Sequence, residues 1–170
     1  MQRHFELLAR YHLWATEKIL SHIASISEDD YRRDCGLFFH SIHGTLNHML
    51  VGELHWHARF TNSNPITIPL NAEVEPDRVA LASALHTAVA RWNDFVDNIA
   101  PERFDTQLMY SRANGEKTTT PFAPTLAHVF NHGTHHRGQL SAALTCLGYP
   151  VPELDLIYKI REEITPETKQ

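Results

Sequence analysis

The chain has 170 residues, a formal net charge of -5, and 42% hydrophobic against 21% charged side chains. That length suits one domain, expected over 1–170, with a core large enough to need no disulfide or metal staple. The composition excludes a disordered chain or one with a membrane-spanning run, and the acidic balance, with no basic run beyond Arg32-Arg33, argues against a nucleic-acid partner.

Four long segments carry helical period. From about 2 to 26, Phe5, Leu8, Ala9, Leu13, Ile19, Leu20 and Ile23 recur at threes and fours, one buried helix face. "SISEDDY" follows as cap and turn residues. From about 41 to 61, with Ser41 as N-cap, Leu46, Met49, Leu50, Leu54, Trp56 and Phe60 give a second apolar side that stops at "TNSNP". The third segment starts at Pro76 and runs through Leu81, Leu85, Ala88, Trp92 and Val96 to a stop before Pro101. The fourth starts near Pro124-Thr125 and ends at Gly148, a residue suited to the position just past a helix. A short amphipathic piece, "ELDLIYKIRE", predicts a last helix near 153 to 163.

Between segments three and four, Asn114-Gly115 flanked by Thr, Tyr and Leu predicts a small β-hairpin. The loop between segments two and three, about 15 residues, is longer than an antiparallel neighbour needs. It would let segment three run parallel to segment two. The expected architecture is therefore all-α: a four-helix bundle with a long crossover connection, a hairpin and a short C-terminal helix. The amphipathic N-terminus has no apolar leader core, so no signal peptide is expected. Cys35 and Cys146 lie far apart in sequence and suit a reducing, cytoplasmic location.

Chemistry concentrates in "HVFNHGTHHRGQL", residues 128 to 140, which holds four of the 13 histidines. Two residues four apart share a helix face, close enough for two imidazoles to reach one ion. Only His128/His132 and His132/His136 have that spacing. Each step of four drifts by about 40°, so one ion takes two of the three, and a third ligand must come from another helix. His48 is the best candidate. It points away from Leu46 and Leu50, with Gly44 one turn before it and Gly52 one turn after. Helical glycine costs about 1 kcal/mol against alanine, and clearance around an ion or close helix approach would each justify the pair. His55, seven residues on, falls on nearly the same face. His135 faces elsewhere. His4, His12, His22 and His86 read as ordinary, while His40, His43 and His57 carry no clear assignment.

"YHLWATEKIL", "SIHGTLNHMLVGELHW" and "HVFNHGTHHRGQL" together resemble the DinB/YfiT-like family of metalloenzymes, in order from about residue 5 to 160. The resemblance implies a four-helix bundle whose metal site takes one histidine from the second helix and two from the fourth: His48, His132 and His136. It implies zinc or nickel as the ion, a homodimer, and, from its characterised members, thiol-dependent chemistry such as bacillithiol S-transfer or mycothiol-dependent isomerisation. One departure is Trp14-Ala15-Thr16, where the family usually has Trp-Ala-Asn.

Three neutral imidazoles leave a position on the ion open, the pattern of a catalytic site and not of a closed structural one. Such an ion could activate water or the thiolate of a small external thiol, since no cysteine sits at a matching position. Metal-dependent thiol S-transfer is the leading expectation, with a small-molecule substrate and a low-molecular-weight thiol. Metal-dependent hydrolysis and non-catalytic metal binding are the alternatives. Hydrolysis wants a carboxylate base, and Glu53, the nearest acid to His48 in sequence, faces about 140° away. Asn47, Asn131 and Gln139 are candidate partners for the ligand rings. Trp14, Trp56 and Trp92 read as core, and Arg137 as a surface charge or an anchor for an anion.

Overall fold

A computed structural model describes residues 1–112 and 115–165. The chain is mostly helical, with one two-stranded antiparallel sheet among the described residues. The elements are α1 (Gln2–Ile23), α2 (Glu28–Arg32), α3 (Ile42–Phe60), α4 (Arg78–Asp97), a 3-10 turn (Pro101–Asp105), β1 (Gln107–Ser111), β2 (Lys117–Pro121), α5 (Phe122–Cys146) and α6 (Leu156–Ile164). No helix among the described residues is long and apolar enough to cross a membrane.

Local chemistry sets the boundaries. Ser41 accepts from the Gly44 amide and caps α3. Asp77 accepts from the Ala80 amide, so α4 starts after Asp77 and not at Pro76. α5 begins at Phe122, two residues before the expected start. Pro124 then sits in the first turn, where amides have no helical acceptor and a missing N–H costs nothing. Gly148, at φ 82°, lets the Tyr149 amide turn back to the Leu144 carbonyl and close α5. "SEDDY" is more than a turn: Ser27 caps the short helix α2, whose Tyr31 is buried. α1 ends at Ile23, short of the expected 26. Strands β1 and β2 pair from Gln107↔Pro121 to Ser111↔Lys117, as the hairpin expectation required. Gly115 has the expected positive φ, while Asn114 lies outside the described residues.

α1 and α3 each pack against both α4 and α5. One buried cluster joins Ile19 and Ile23 of α1 to Ile42 and Leu46 of α3, Leu81 and Leu85 of α4, and Leu140 and Leu144 of α5. The other joins Phe5, Phe60, Trp92, Val96, Phe122 and Phe130. The C-terminal ends of α1 and α5 thus meet the N-terminal ends of α3 and α4. So α3 and α4 run the same way, which is why the connection between them is long. That connection lies along α3 and is pinned by Asn47, whose Oδ1 accepts from the amides of Val74 (2.8 Å) and Glu75 (3.0 Å). The helix α6 docks on the outer side of α1 through Trp14 Nε1–H donating to Glu162 and the Arg10–Glu163 pair.

Candidate metal centre

The middle of α3 and the middle of α5 bring three imidazoles together. His132 Nε2 lies 3.2 Å from His48 Nε2 and 3.1 Å from His136 Nε2. The spacing of four puts His132 and His136 on one face of α5, and α3 supplies His48 opposite. Two of the rings are aimed by their far nitrogens. His48 Nδ1–H donates to the Leu70 carbonyl at 2.8 Å, and His136 Nδ1–H to Gln139 Oε1 at 2.7 Å.

With protons held on those Nδ1 atoms, the Nε2 atoms of His48 and His136 present lone pairs to His132. A single N–H on His132 could satisfy only one of them. A cation at the centre satisfies all three. Zinc–nitrogen bonds of 2.0–2.1 Å at tetrahedral angles put ligand nitrogens about 3.3 Å apart, close to the two separations from His132, and nitrogens of all three rings lie within 4.8 Å of one another. The three histidines could therefore hold a metal ion. A six-coordinate ion with right-angle geometry fits nearly as well, so the spacing accommodates nickel as readily as zinc.

Burial keeps the rings unprotonated. It drives the His132 pKa down to about 3, helped by the neighbouring His136 and His48, and that of His136 down to about 4. His48 is lowered by the same burial. Phe39, just before α3, stacks on His48 with ring centroids 3.8 Å apart and an interplanar angle of 16°. The two helical glycines divide the reasons offered for them. A Cβ on Gly52 would sit 3.1 Å from His132 Cε1, so this glycine gives clearance to a site ring. A Cβ on Gly44 would strike the Phe39 carbonyl, so that glycine admits a close backbone.

Beside the histidines a cleft of about 490 Å³ is lined by Gly52, His55, Trp56, Leu70 and His128 among others. His55 shares the pocket as its spacing suggested, with Nε2 bonded to the Ile68 carbonyl at 2.9 Å. His128 does not join the trio; it stands edge-on to Trp56 with centroids 5.1 Å apart. His135 is exposed. Of the proposed ring partners, Gln139 meets a ligand ring. Asn47 instead holds the crossover, and Asn131 is exposed.

A model of the DinB family matches residues 1–169 of this sequence. The chain belongs to the DinB family. It is similar to Protein DinB of Bacillus subtilis (strain 168), 26% identical over 148 residues that cover 84% of this chain and 85% of that protein.

This DinB chain also buries a charged network that its sequence did not announce. His12, read as ordinary, is fully buried and lies outside the metal trio; Arg137 is 1% exposed and neither a surface charge nor an anchor in the cleft. The Arg137 guanidinium donates to His12 Nδ1 at 2.8 Å, so the opposite nitrogen carries the proton and donates to Glu53 Oε1 at 2.9 Å. Trp92 Nε1–H donates to Glu53 Oε2 at 2.5 Å. Burial pushes the Glu53 carboxyl up, but His12 and Trp92 more than reverse it and hold it ionised. Burial keeps His12 neutral. Glu53 thus faces the interior, with one hydrogen bond to each carboxylate oxygen. Thr16, at the departure from the usual Trp-Ala-Asn, accepts from Arg137 at 3.3 Å. Trp92 and Trp14 are core, as expected, whereas Trp56 is half-buried and lines the cleft. Phe39 and the Leu70 carbonyl escaped the sequence reading because neither belongs to a periodic helix face.

Proposed function

We propose that this DinB family protein is a metal-dependent thiol S-transferase, with His48, His132 and His136 holding a zinc or nickel ion. Its four long helices, each packed on two others, are read as a four-helix bundle with a crossover connection. The observation that carries the reading is the convergence of three Nε2 atoms on rings that are neutral at pH 7, two of them aimed by fixed acceptors. When bound, the ion supplies Lewis acidity that lowers the pKa of a coordinating thiol or water.

The chain's own residues do the rest. Leu70 and Gln139 hold two rings in the tautomer that offers Nε2. Phe39 shields one side of His48 from water. The cleft beside Gly52 and His132 leaves room for a small substrate. In the transfer, an external thiol loses its proton, its sulfur bonds to the electrophilic carbon, and the leaving group departs with the bonding pair. No base within the trio is needed, because the proton can go to solvent. Hydrolysis is disfavoured because Glu53 is buried, bonded to His12 and Trp92, and is not among the residues lining the cleft. The reading places the protein in the cytosol, which its free Cys35 and Cys146 suit, as a homodimer.

Metal analysis of tag-free protein tests the first half. About one ion per chain is expected in the wild type and none in His132→Ala. Turnover of low-molecular-weight thiols with a panel of alkyl electrophiles tests the second half. Metal-loaded protein that binds thiols yet never accelerates their alkylation would refute the transferase reading.

A further inference from the structure

The cleft runs from the histidines toward Arg59, a cation with no acid partner among the described residues. Arg59 lies eleven residues after His48 on α3, three turns along and on nearly the same face. The axial rise between them is about 16 Å. The Arg59 side chain folds back over Trp56, one turn nearer, with its guanidinium carbon 4.5 Å from that ring and 4.9 Å from the Tyr110 ring. This leaves a span on the order of 10 Å between the guanidinium and the histidine cluster. Both ends line the same cleft, and Leu70, Trp56 and His128 form its walls between them.

The second cation of the cleft, Arg112, is already paired with Glu116 at 3.0 Å. Arg59 forms no ion pair among the described residues, and burial penalises its charge, with Tyr110 partly offsetting this and Arg112 adding to it. A half-buried guanidinium held against the Trp56 and Tyr110 rings, with no ion pair among the described residues, is a ready fork for an oxyanion.

Resting on the proposed metal site, we infer that the substrate is a small organic acid: one end meets the ion, an apolar or planar middle lies against Trp56 and Leu70, and a terminal oxyanion pairs with Arg59. Arg59 then selects substrates by charge and length, and the ion selects by donor atom.

Calorimetry on zinc-loaded full-length protein tests this with mercaptohexanoate, mercaptohexylphosphonate and neutral mercaptohexanol. At least one of the two acids should bind about tenfold or more tighter than the alcohol, the gain of a charge-assisted hydrogen bond. The better acid tells carboxylate from phosphoryl. Arg59→Met should erase the preference while leaving zinc content and the affinity for the alcohol unchanged; Arg59→Lys should keep part of it. Acids and alcohol binding alike, or a preference that survives Arg59→Met, would overturn the inference. Phenylbutyrate against phenylbutyramide reads the Arg59 end without any metal ligand. If mercaptohexanol binds equally with and without zinc while phenylbutyrate still prefers wild type to Arg59→Met, the metal reading fails and the Arg59 subsite stands.

Discussion

His12 of α1 and Glu53 of α3 meet at 2.9 Å in the centre of the molecule, both closed to solvent, with Arg137 of α5 behind the one and Trp92 of α4 behind the other. One polar chain therefore ties all four long helices. The negative carboxylate is balanced by the guanidinium on the far side of a neutral ring. Removing one member strands the other charge in a medium that solvates it poorly. Glu53→Ala is expected to lose about 3–5 kcal/mol of folding stability. Glu53→Gln keeps an acceptor for one donor and should lose less. Urea unfolding followed by circular dichroism measures both. A loss below about 1 kcal/mol in Glu53→Ala would mean that Arg137 finds another partner.

Two site glycines should respond to alanine in opposite ways. At Gly133 the added methyl would run into His12 and Arg137, neither of which has space to retreat. Gly133→Ala is expected to destabilise by about 1–3 kcal/mol through overpacking, despite the better helix propensity of alanine. At Gly52 the new methyl would press on the edge of His132 at 3.1 Å, and that ring is half-buried at the cleft. It can give by tilting. Gly52→Ala should therefore fold at least as stably as the wild type, with a gain of up to about 1 kcal/mol, yet bind metal more weakly because His132 is pushed off line. Thermal melts in chelator, paired with metal titrations, separate the two effects.

The legible part of this protein is the part written in helical periods. Apolar stripes revealed the four long helices, Ser41 and Gly148 marked their ends, and the spacing of four on α5 with a glycine-flanked His48 picked out the three histidines. What escaped was set by contacts between elements. His12 and Arg137 fall on the apolar faces of α1 and α5, three residues from Ala9 and Leu140, but only the meeting of α1, α3 and α5 shows that their polar groups bond there to each other and to Glu53. Phe39 and Leu70 act from irregular backbone, one by its ring and one by its carbonyl. Glu53 shows both sides: its angle away from His48 was legible, whereas its engagement with His12 and Trp92 was not. Arg59 had a local signal, its place eleven residues beyond His48 on the same face. That signal points to chemistry only once a cleft connects the two.

The metal-free protein should lose stability in acid because its buried histidines are held neutral. An unfolded histidine takes up its proton near 6.5, whereas His136 waits until about 4 and His132 until about 3. Below 6.5 the unfolded chain binds more protons than the folded one, so stability rises with pH across this window. The contribution is fully present above 6.5 and is lost as pH falls toward 4 and then 3. Urea midpoints in chelator at pH 7.5, 6, 5 and 4 should decline in that order. His132→Phe, which removes one titrating ring, should flatten the decline. An equally steep slope in that variant would assign the acid sensitivity to other groups.

Gln139 offers the cleanest separation of aim from ligation. Its Oε1 accepts from His136 Nδ1 at 2.7 Å, one helical turn away, and in doing so keeps Nε2 free to face His48 and His132. The side chain is half-buried at the edge of α5 and carries no weight in the core clusters. Gln139→Ala should leave the unfolding midpoint of the metal-free protein nearly unchanged while weakening zinc binding by about 10–100-fold, the usual cost of losing a partner behind a ligand imidazole. Gln139→Glu supplies a stronger acceptor at the same place and should match or exceed wild-type affinity. Competition with a chromophoric chelator gives both constants. An unchanged affinity in Gln139→Ala would show that His136 is aimed by packing alone, with Phe39, whose ring centroid lies 5.9 Å from its own, as the neighbour that does it.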